Sequence, residues 1–386
     1  MKFLHVSDLH IGKVVNDFSM LEEQRFILDQ ISGMAVANKV EAVVIAGDIY
    51  DRAIPPGEAV TLFDAFLTGL VRAKIQVVMI SGNHDSPERI SFGGRLFDAQ
   101  GVHIAGVAEE ALTRVKIEGE ESITEFVLLP FIKSAKAGAA NSAEAVEKLL
   151  DRYWEEEKAA RVETGAYKNR VLVTHYFVTD AGREPELSDS ETTIHVGGLD
   201  NVDASLFTGF DYVALGHIHK PQQIGDHPVW YAGSLLKYSF GEVTQSKCAL
   251  LVTMGERGLA KVRKLPLHPL HDFRKIKGSL KELLEAGQCA GEERFDYLQA
   301  ILTDRGELID PMGTLRSVYP NMMQIIREEK ELTGAGEELT KAGAGTLTQR
   351  KDALALFEEF YRQVREEPLS EEGKSIVAEL VKELEG

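Results

Sequence analysis

Two histidines stand two residues apart in the stretch LGHIHKPQ, His217 and His219, just after a glycine at the end of an apolar run. In extended backbone, residues i and i+2 share a face, so both imidazoles would point the same way. Two rings converging on one point suit a metal ion, although such a pair alone is more often two solvated loop histidines. The rest of the chain adds groups of the same chemistry: DLH at 8–10, GD at 47–48, GNHD at 82–85, TH at 174–175 and GHIH at 216–219. Asp8, His10, Asp48, Asn83, His175, His217 and His219 together make a set of hard oxygens and imidazoles. That set fits manganese, iron or zinc and fits soft metals poorly. Seven such groups exceed what one first-row ion needs, and they match two ions about 3.5–4 Å apart that share a carboxylate.

The elements that must position these groups are also legible. Five apolar runs lead into them: FLHVS into Asp8, EAVVIAG into Asp48, QVVMISG into Asn83, RVLVT into His175 and DYVALG into His217. Runs of this kind alternating with helical patterns over the first 265 residues or so predict an α/β domain. In open α/β sheets, sites form beyond the carboxyl ends of the strands, so the five groups are expected to share one edge of the fold. The glycines before Asp48, Asn83 and His217 would let the backbone turn sharply and come close to a metal. Between the first two runs lies an amphipathic segment with Leu21, Leu28, Ile31 and Met34 as its inner face, opened by Ser19 and Glu22 in capping-box spacing. Later runs, WYAGSLL, CALLVTM and KVRKLPL, predict a second sheet packed on the first.

The pattern changes at about residue 266, and residues 266–327 read as a small separate α+β unit. Residues 331–346 carry four glycines among Glu, Thr and Lys, the composition of a flexible linker. Beyond it come two amphipathic helical patterns, one on Leu354, Phe357, Tyr361 and Val364, the other on Val377, Leu380, Val381 and Leu384 after a cap at Ser370.

A chain of 386 residues that is 44% hydrophobic can bury a sizeable core, and two to three domains are expected. No apolar run is long enough for a transmembrane helix, and the N-terminus reads as a strand, not a signal peptide. Cys248 and Cys289 lie far apart and form no metal spacing, which fits a reduced, cytoplasmic setting. The net charge of −18 argues against a protein that wraps nucleic acid through its overall field. It leaves open an enzyme whose cation-filled site reverses the sign locally.

The ordered set D-x-H, GD, GNH[DE], H and GHxH resembles the calcineurin-like metallophosphoesterase superfamily. GD alone is common, but all five motifs in order, each after a strand, are specific. The resemblance implies a β-sandwich flanked by helices. It implies one ion held by Asp8, His10, Asp48 and His219, and another by Asp48, Asn83, His175 and His217, with Asp48 bridging. His84 matches the family histidine that faces the phosphate and serves the leaving oxygen, and Asp85 is expected to orient an imidazole.

Longer stretches, FDYVALGHIHKPQ with VWYAGSLLKYSFGE, GDIYDRAIPP, SDSETTIHVGGLDNV and VYPN, look like the bacterial SbcD nucleases, partners of the SbcC coiled-coil ATPase. That resemblance implies a Mn²⁺-dependent hydrolase: a 3′-to-5′ exonuclease on double-stranded ends and an endonuclease on single strands and hairpins. It further implies a role in recombination and repair, and a homodimer bound to SbcC. The layout would be a nuclease domain at 1–265, a capping domain at 266–327, a linker at 328–350 and an SbcC-binding helical segment at 351–386. Asp51 departs from archaeal and eukaryotic relatives, which carry histidine there. Lys13, Arg52, Arg89 and Arg95 lie in or near motif loops and are candidate DNA contacts. His5 is expected in the core, and His195 in a structural role. Two other readings compete: a metallophosphodiesterase for cyclic nucleotides or other small phosphoesters, and a non-catalytic DNA-end scaffold with structural metals.

Overall fold

The structure, a computed structural model, describes residues 1–109, 111–119, 123–160, 169–188, 201–256 and 258–328, with residues 373, 374 and 377 beyond them. Residues 1–328 form one compact unit and residues 329–386 a second. The linker and the tail helices expected at 328–386 fall almost wholly outside the described residues, as does His195.

Two six-stranded sheets make the frame. The first runs, edge to edge, Gly258–Pro266, Cys248–Gly255, Lys2–Val6, Ala42–Ala46, Gln76–Ile80 and Val102–Ala105. Its last four strands are parallel, and the first two are added antiparallel. The second runs Gln222–Gln223, Val229–Tyr231, Tyr212–Gly216, Asn169–His175, Ile123–Leu129 and Thr113–Glu118. Its four inner strands are parallel, with an antiparallel strand at either edge.

The parallel strands are apolar almost throughout because both of their faces are covered. Val44, Val78 and Ile80 of the first sheet meet Phe126, Leu128, Val171 and Val173 of the second in the core between the sheets. The outer face of the first sheet packs on Ile27, Leu28 and Ile31 of the helix Leu21–Ala37 and on Leu62, Phe63 and Phe66 of the helix Gly57–Arg72. The outer face of the second packs on Val146, Leu150 and Tyr153 of the helix Ser142–Ala160. The result is the sandwich flanked by helices that was expected.

Two local expectations change. Cys248–Gly255 and Gly258–Pro266 join the first sheet, and of the WYAGSLL run only Trp230 and Tyr231, in the strand Val229–Tyr231, enter the second. Apolar patterning fixes which residues face a core but not which neighbouring strand supplies the hydrogen bonds. The capping box is also absent: the helix begins after Met20 with no side-chain cap, because Ser19 is paired in the hairpin of Val14–Val15 with Phe18–Ser19.

Residues 273–327 build a separate three-stranded parallel sheet, Phe273–Gly278, Tyr297–Leu302 and Met322–Arg327, with the helices Leu280–Cys289 and Pro311–Arg316. It has its own core of Leu283, Leu298, Leu302, Leu315 and Met322. Phe273, Tyr297 and Met323 turn the other way and join the core under the first sheet, where Tyr297 meets Phe18 and Phe273 meets Phe240.

Candidate metal centre

Three strands of the first sheet and two of the second end at the same edge of the sandwich. Asp8 and His10 follow Lys2–Val6, Asp48 follows Ala42–Ala46 and Asn83 follows Gln76–Ile80. His175 closes Asn169–His175, and His217 with His219 follows Tyr212–Gly216. Asp8, His10, Asp48 and His217 all hold positive φ, at 52°, 45°, 50° and 102°. Side-chain-bearing residues adopt such backbone at a cost of roughly 1–3 kcal/mol each, and only where their surroundings fix it. Here the fixing bonds run between loops: Asp8 N–H to the Gly47 carbonyl at 3.2 Å, His10 N–H to the Asp48 carbonyl at 3.0 Å, and His217 N–H to the Asp8 carboxylate at 2.9 Å. Two glycines let the loops close. A Cβ on Gly82 would stand 2.2 Å from Asp48 Oδ1, and one on Gly216 would stand 2.0 Å from the Ala46 carbonyl.

The side chains converge in two groups. In one, Asn83 Oδ1 lies 3.0 Å from His175 Nε2 and 3.1 Å from His217 Nδ1. In the other, His10 Nε2 lies 3.2 Å from His219 Nε2, and one ligand atom each of Asp8, His10 and His219 lies within 4.8 Å of the others. Asp48 Oδ2 stands between the groups, 3.3 Å from His175 Nε2 and 3.8 Å from His10 Nε2. Asp8, His10, Asp48, His175 and His219 are all buried.

Burial pushes the Asp8 carboxyl up and the His10 imidazole well down. Burial works the same way on Asp48, but the His175 charge and hydrogen bond outweigh it and hold that carboxyl far below the usual range. Burial opposes a charge on His175 as well, yet Asp48 raises it to about 9. The donor set fits divalent cations. Two buried carboxylates face a ring of imidazole nitrogens, His10 and His219 turn the same kind of nitrogen toward each other, and His10 Nδ1 has no hydrogen-bond partner among the described residues. A cation satisfies lone pairs that protons on these rings cannot all satisfy at once.

His84 is half-buried beside the centre. Its backbone N–H donates to Asp48 Oδ1 at 2.9 Å, and its Nδ1 lies 3.0 Å from the Asp51 carbonyl. A carbonyl only accepts, so Nδ1 carries the proton and Nε2 is the basic nitrogen. The expectation that Asp85 orients an imidazole is corrected. Its buried carboxylate accepts from three backbone N–H groups, Tyr50 at 2.9 Å, Gly82 at 2.9 Å and Ile49 at 3.1 Å. It therefore ties the loop after Asp48 to the loop that carries Asn83. Burial and the nearby Asp48 push its carboxyl up to about 6 against those bonds.

Of the four basic candidates, Lys13 is drawn to the centre by Asp51, at 2.6 Å, whose carboxylate lies 3.7 Å from the His10 ring. Arg52 is 73% exposed with its guanidinium 3.7 Å from Asp51. Arg89 and Arg95 are exposed on the short helices Pro87–Ile90 and Gly94–Asp98. His5 is buried in the core, as expected, with Nδ1 3.0 Å from the Tyr212 hydroxyl.

Four supporting residues escape sequence reasoning. Gln24 donates to the His10 carbonyl at 2.8 Å and accepts from Gly12 N–H at 3.0 Å. The Tyr238 hydroxyl donates to the Leu9 carbonyl at 2.6 Å. Glu242 and Lys247, 2.6 Å apart and buried, lie behind His219. Burial opposes the Glu242 charge, but its bond to His219 and the Lys247 ammonium hold it down at about 2. None of the four belongs to the five metal-spacing motifs; Tyr238 and Glu242 lie in the family-like stretch VWYAGSLLKYSFGE, while no local signal marks Gln24 or Lys247.

The N-terminal 221 residues match the calcineurin-like phosphoesterase family, and residues 269–365 match the type 5 capsule protein repressor C-terminal domain. The chain is 29% identical over 374 residues to SbcD, a subunit of the nuclease SbcCD of Staphylococcus epidermidis, across 96% of this chain and 95% of that protein. A dimetal phosphatase from Danio rerio aligns at 14% identity and a TM-score of 0.42, over 69% of this chain and 98% of its own. A Thermus thermophilus protein aligns at 15% identity and a TM-score of 0.39, over 69% of this chain and 99% of its own. The five motifs, the sandwich that gathers them and a match spanning more than half of its length make this chain a member of the calcineurin-like phosphoesterase family.

Proposed function

We propose that the chain is the nuclease subunit of an SbcCD-like complex, hydrolysing DNA phosphodiesters with two divalent ions, Mn²⁺ in its physiological form. The observation that carries the reading is Asp48, whose carboxylate stands between two groups of ligand-type side chains while its other oxygen holds the backbone of His84. Asp8, His10, Asp48 and His219 would hold one ion, and Asp48, Asn83, His175 and His217 the other. When bound, the pair supplies an activated water and neutralises charge growing on the phosphoryl oxygens. His84, with its Nδ1–H held by the Asp51 carbonyl, presents Nε2, which takes up a proton and delivers it to the leaving oxygen. Asp85 holds the two loops in register. Lys13, Arg52, Arg89 and Arg95 would meet backbone phosphates of the substrate, a local basic rim on an acidic chain.

The likeness to the staphylococcal SbcCD nuclease along nearly the whole chain supports a DNA substrate and an SbcC-type coiled-coil ATPase as partner. Within that reading, residues 1–265 are the nuclease domain and residues 266–327 a cap beside the site. Residues 328–350 link these to helices at 351–386 that dock on the ATPase. The activity is a 3′-to-5′ exonuclease on double-stranded ends and an endonuclease on single strands and hairpins, serving repair and recombination in the cytoplasm. Among the described residues no helix is long and apolar enough to cross a membrane. Two copies would pair, and Phe92, Leu96 and Phe97, exposed by 82%, 77% and 43%, offer an apolar surface for that.

A direct comparison tests the substrate class. The chain, supplied with Mn²⁺, is offered a labelled hairpin DNA and a cyclic nucleotide in parallel. Hairpin degradation is expected. Hydrolysis of the cyclic nucleotide alone would replace this reading with a small-substrate phosphodiesterase.

A further inference from the structure

We propose that Glu242 is a positioning residue that fixes the tautomer of His219, so that Nε2 of that ring is the nitrogen offered to a metal. The inference rests on the two-ion reading above and adds a residue outside the five metal-spacing motifs. Glu242 closes the short turn Phe240–Glu242 and is fully buried. Its Oε1 lies 3.4 Å from His219 Nδ1 and accepts from the Ser239 hydroxyl at 3.3 Å, while Oε2 accepts from Lys247 Nζ at 2.6 Å. The same ammonium donates to the His219 carbonyl at 2.9 Å and to the Ser234 hydroxyl at 2.8 Å. The buried pair thus holds both ends of one residue, its backbone through Lys247 and its ring through Glu242.

The chemistry follows from donor counting. A carboxylate only accepts, so the ring nitrogen facing it keeps the proton, and the opposite nitrogen keeps its lone pair. That opposite nitrogen is Nε2, 3.2 Å from His10 Nε2 inside the ligand group. With the proton on Nδ1, His219 Nε2 can accept from His10 Nε2–H before a metal arrives. His10 Nδ1, which has no hydrogen-bond partner among the described residues, is then the unprotonated nitrogen of that ring. Carboxylate partners of this type typically change metal affinity 10–100-fold when removed. A plain counter-ion role is the competing explanation: Glu242 would be present only because Lys247 is buried beside it.

Three variants separate the two explanations: Glu242→Gln, Lys247→Met, and both together. Each is followed by thermal unfolding without metal and by calorimetric titration with Mn²⁺. Glu242→Gln is expected to bind one of two ions roughly 10–100-fold more weakly. The double variant is expected to regain the metal-free unfolding temperature, because no buried charge is left unpaired, while its one-ion defect persists. A double variant that binds both ions like the parent, or a single variant with unchanged binding, would reduce Glu242 to a counter-ion. NMR of the metal-free parent with isotope-labelled histidine reads the tautomer without any mutation at Glu242. A proton on His219 Nδ1 is expected, and a proton on Nε2 instead overturns the proposal. A parent chain that binds no metal at all would defeat the two-ion reading itself, an outcome distinct from those.

Discussion

Replacing Asp85 by Asn tests the role the structure gives it. Oδ1 accepts from Tyr50 N–H at 2.9 Å, and Oδ2 accepts from Gly82 and Ile49 at 2.9 and 3.1 Å. Asparagine keeps one acceptor and turns an NH₂ group toward the remaining N–H donors, whichever way the amide is flipped. At least one buried N–H then loses its partner and faces another donor, and the surviving bonds lose their charge assistance. A hydrogen bond to a charged group contributes roughly 1.5–3 kcal/mol, so three of them give about 4.5 kcal/mol at the low end. The carboxylate is costly to bury near Asp48, as its raised pKa of about 6 records, and relief of that cost offsets part of the loss. The net expectation is a destabilisation of about 2–4 kcal/mol. Urea unfolding of metal-free protein at neutral pH reads it, and Mn²⁺ titration of the same variant should show both ions weakened, since both ligand loops are tied by this residue. Stability within about 0.5 kcal/mol of the parent, together with lost activity, would refute the reasoning and return Asp85 to a role on an imidazole.

Five further substitutions probe separate parts of the site. His84→Gln should leave both ions bound by calorimetry while DNA cleavage falls about 10²–10⁴-fold, and loss of metal would mean that His84 is a ligand and not the acid. Gly82→Ala places a Cβ 2.2 Å from Asp48 Oδ1, so paired metal binding and cleavage should both be lost, whereas a variant titrating like the parent would show that the loops need no such approach. Neutralising Arg52, Arg89 and Arg95 one at a time should lower the slope of log affinity for duplex DNA against log salt by about 0.9 for each phosphate no longer neutralised, and an unchanged slope removes that residue from the interface.

The seven ligand-type residues were legible because they close or shortly follow five contiguous apolar strands, and in α/β folds the carboxyl ends of strands gather at one edge. Which sheet each strand joins was not legible. The run CALLVTM reads as a strand in any sheet, and its pairing with Lys2–Val6 joins the two ends of the first 265 residues. Asp85 misled for a related reason: a carboxylate beside a histidine motif invites an imidazole partner, and only the folded backbone shows three N–H groups already aimed at it. Gln24, Tyr238, Glu242 and Lys247 act from positions that packing alone brings near the motifs, as with Tyr238, 229 residues from its acceptor Leu9. The left-handed backbone at Asp8, His10, Asp48 and His217 was equally invisible, since nothing in those residue types requires it.

The central claim is that one carboxylate bridges two ions held by loops from both sheets. A crystal of the chain grown with Mn²⁺ and measured at the manganese absorption edge tests it most directly. Two anomalous peaks are expected, about 3.5–4 Å apart with Asp48 between them, one beside His10 and His219 and the other beside Asn83, His175 and His217. A single peak, or peaks away from Asp48, would contradict the account.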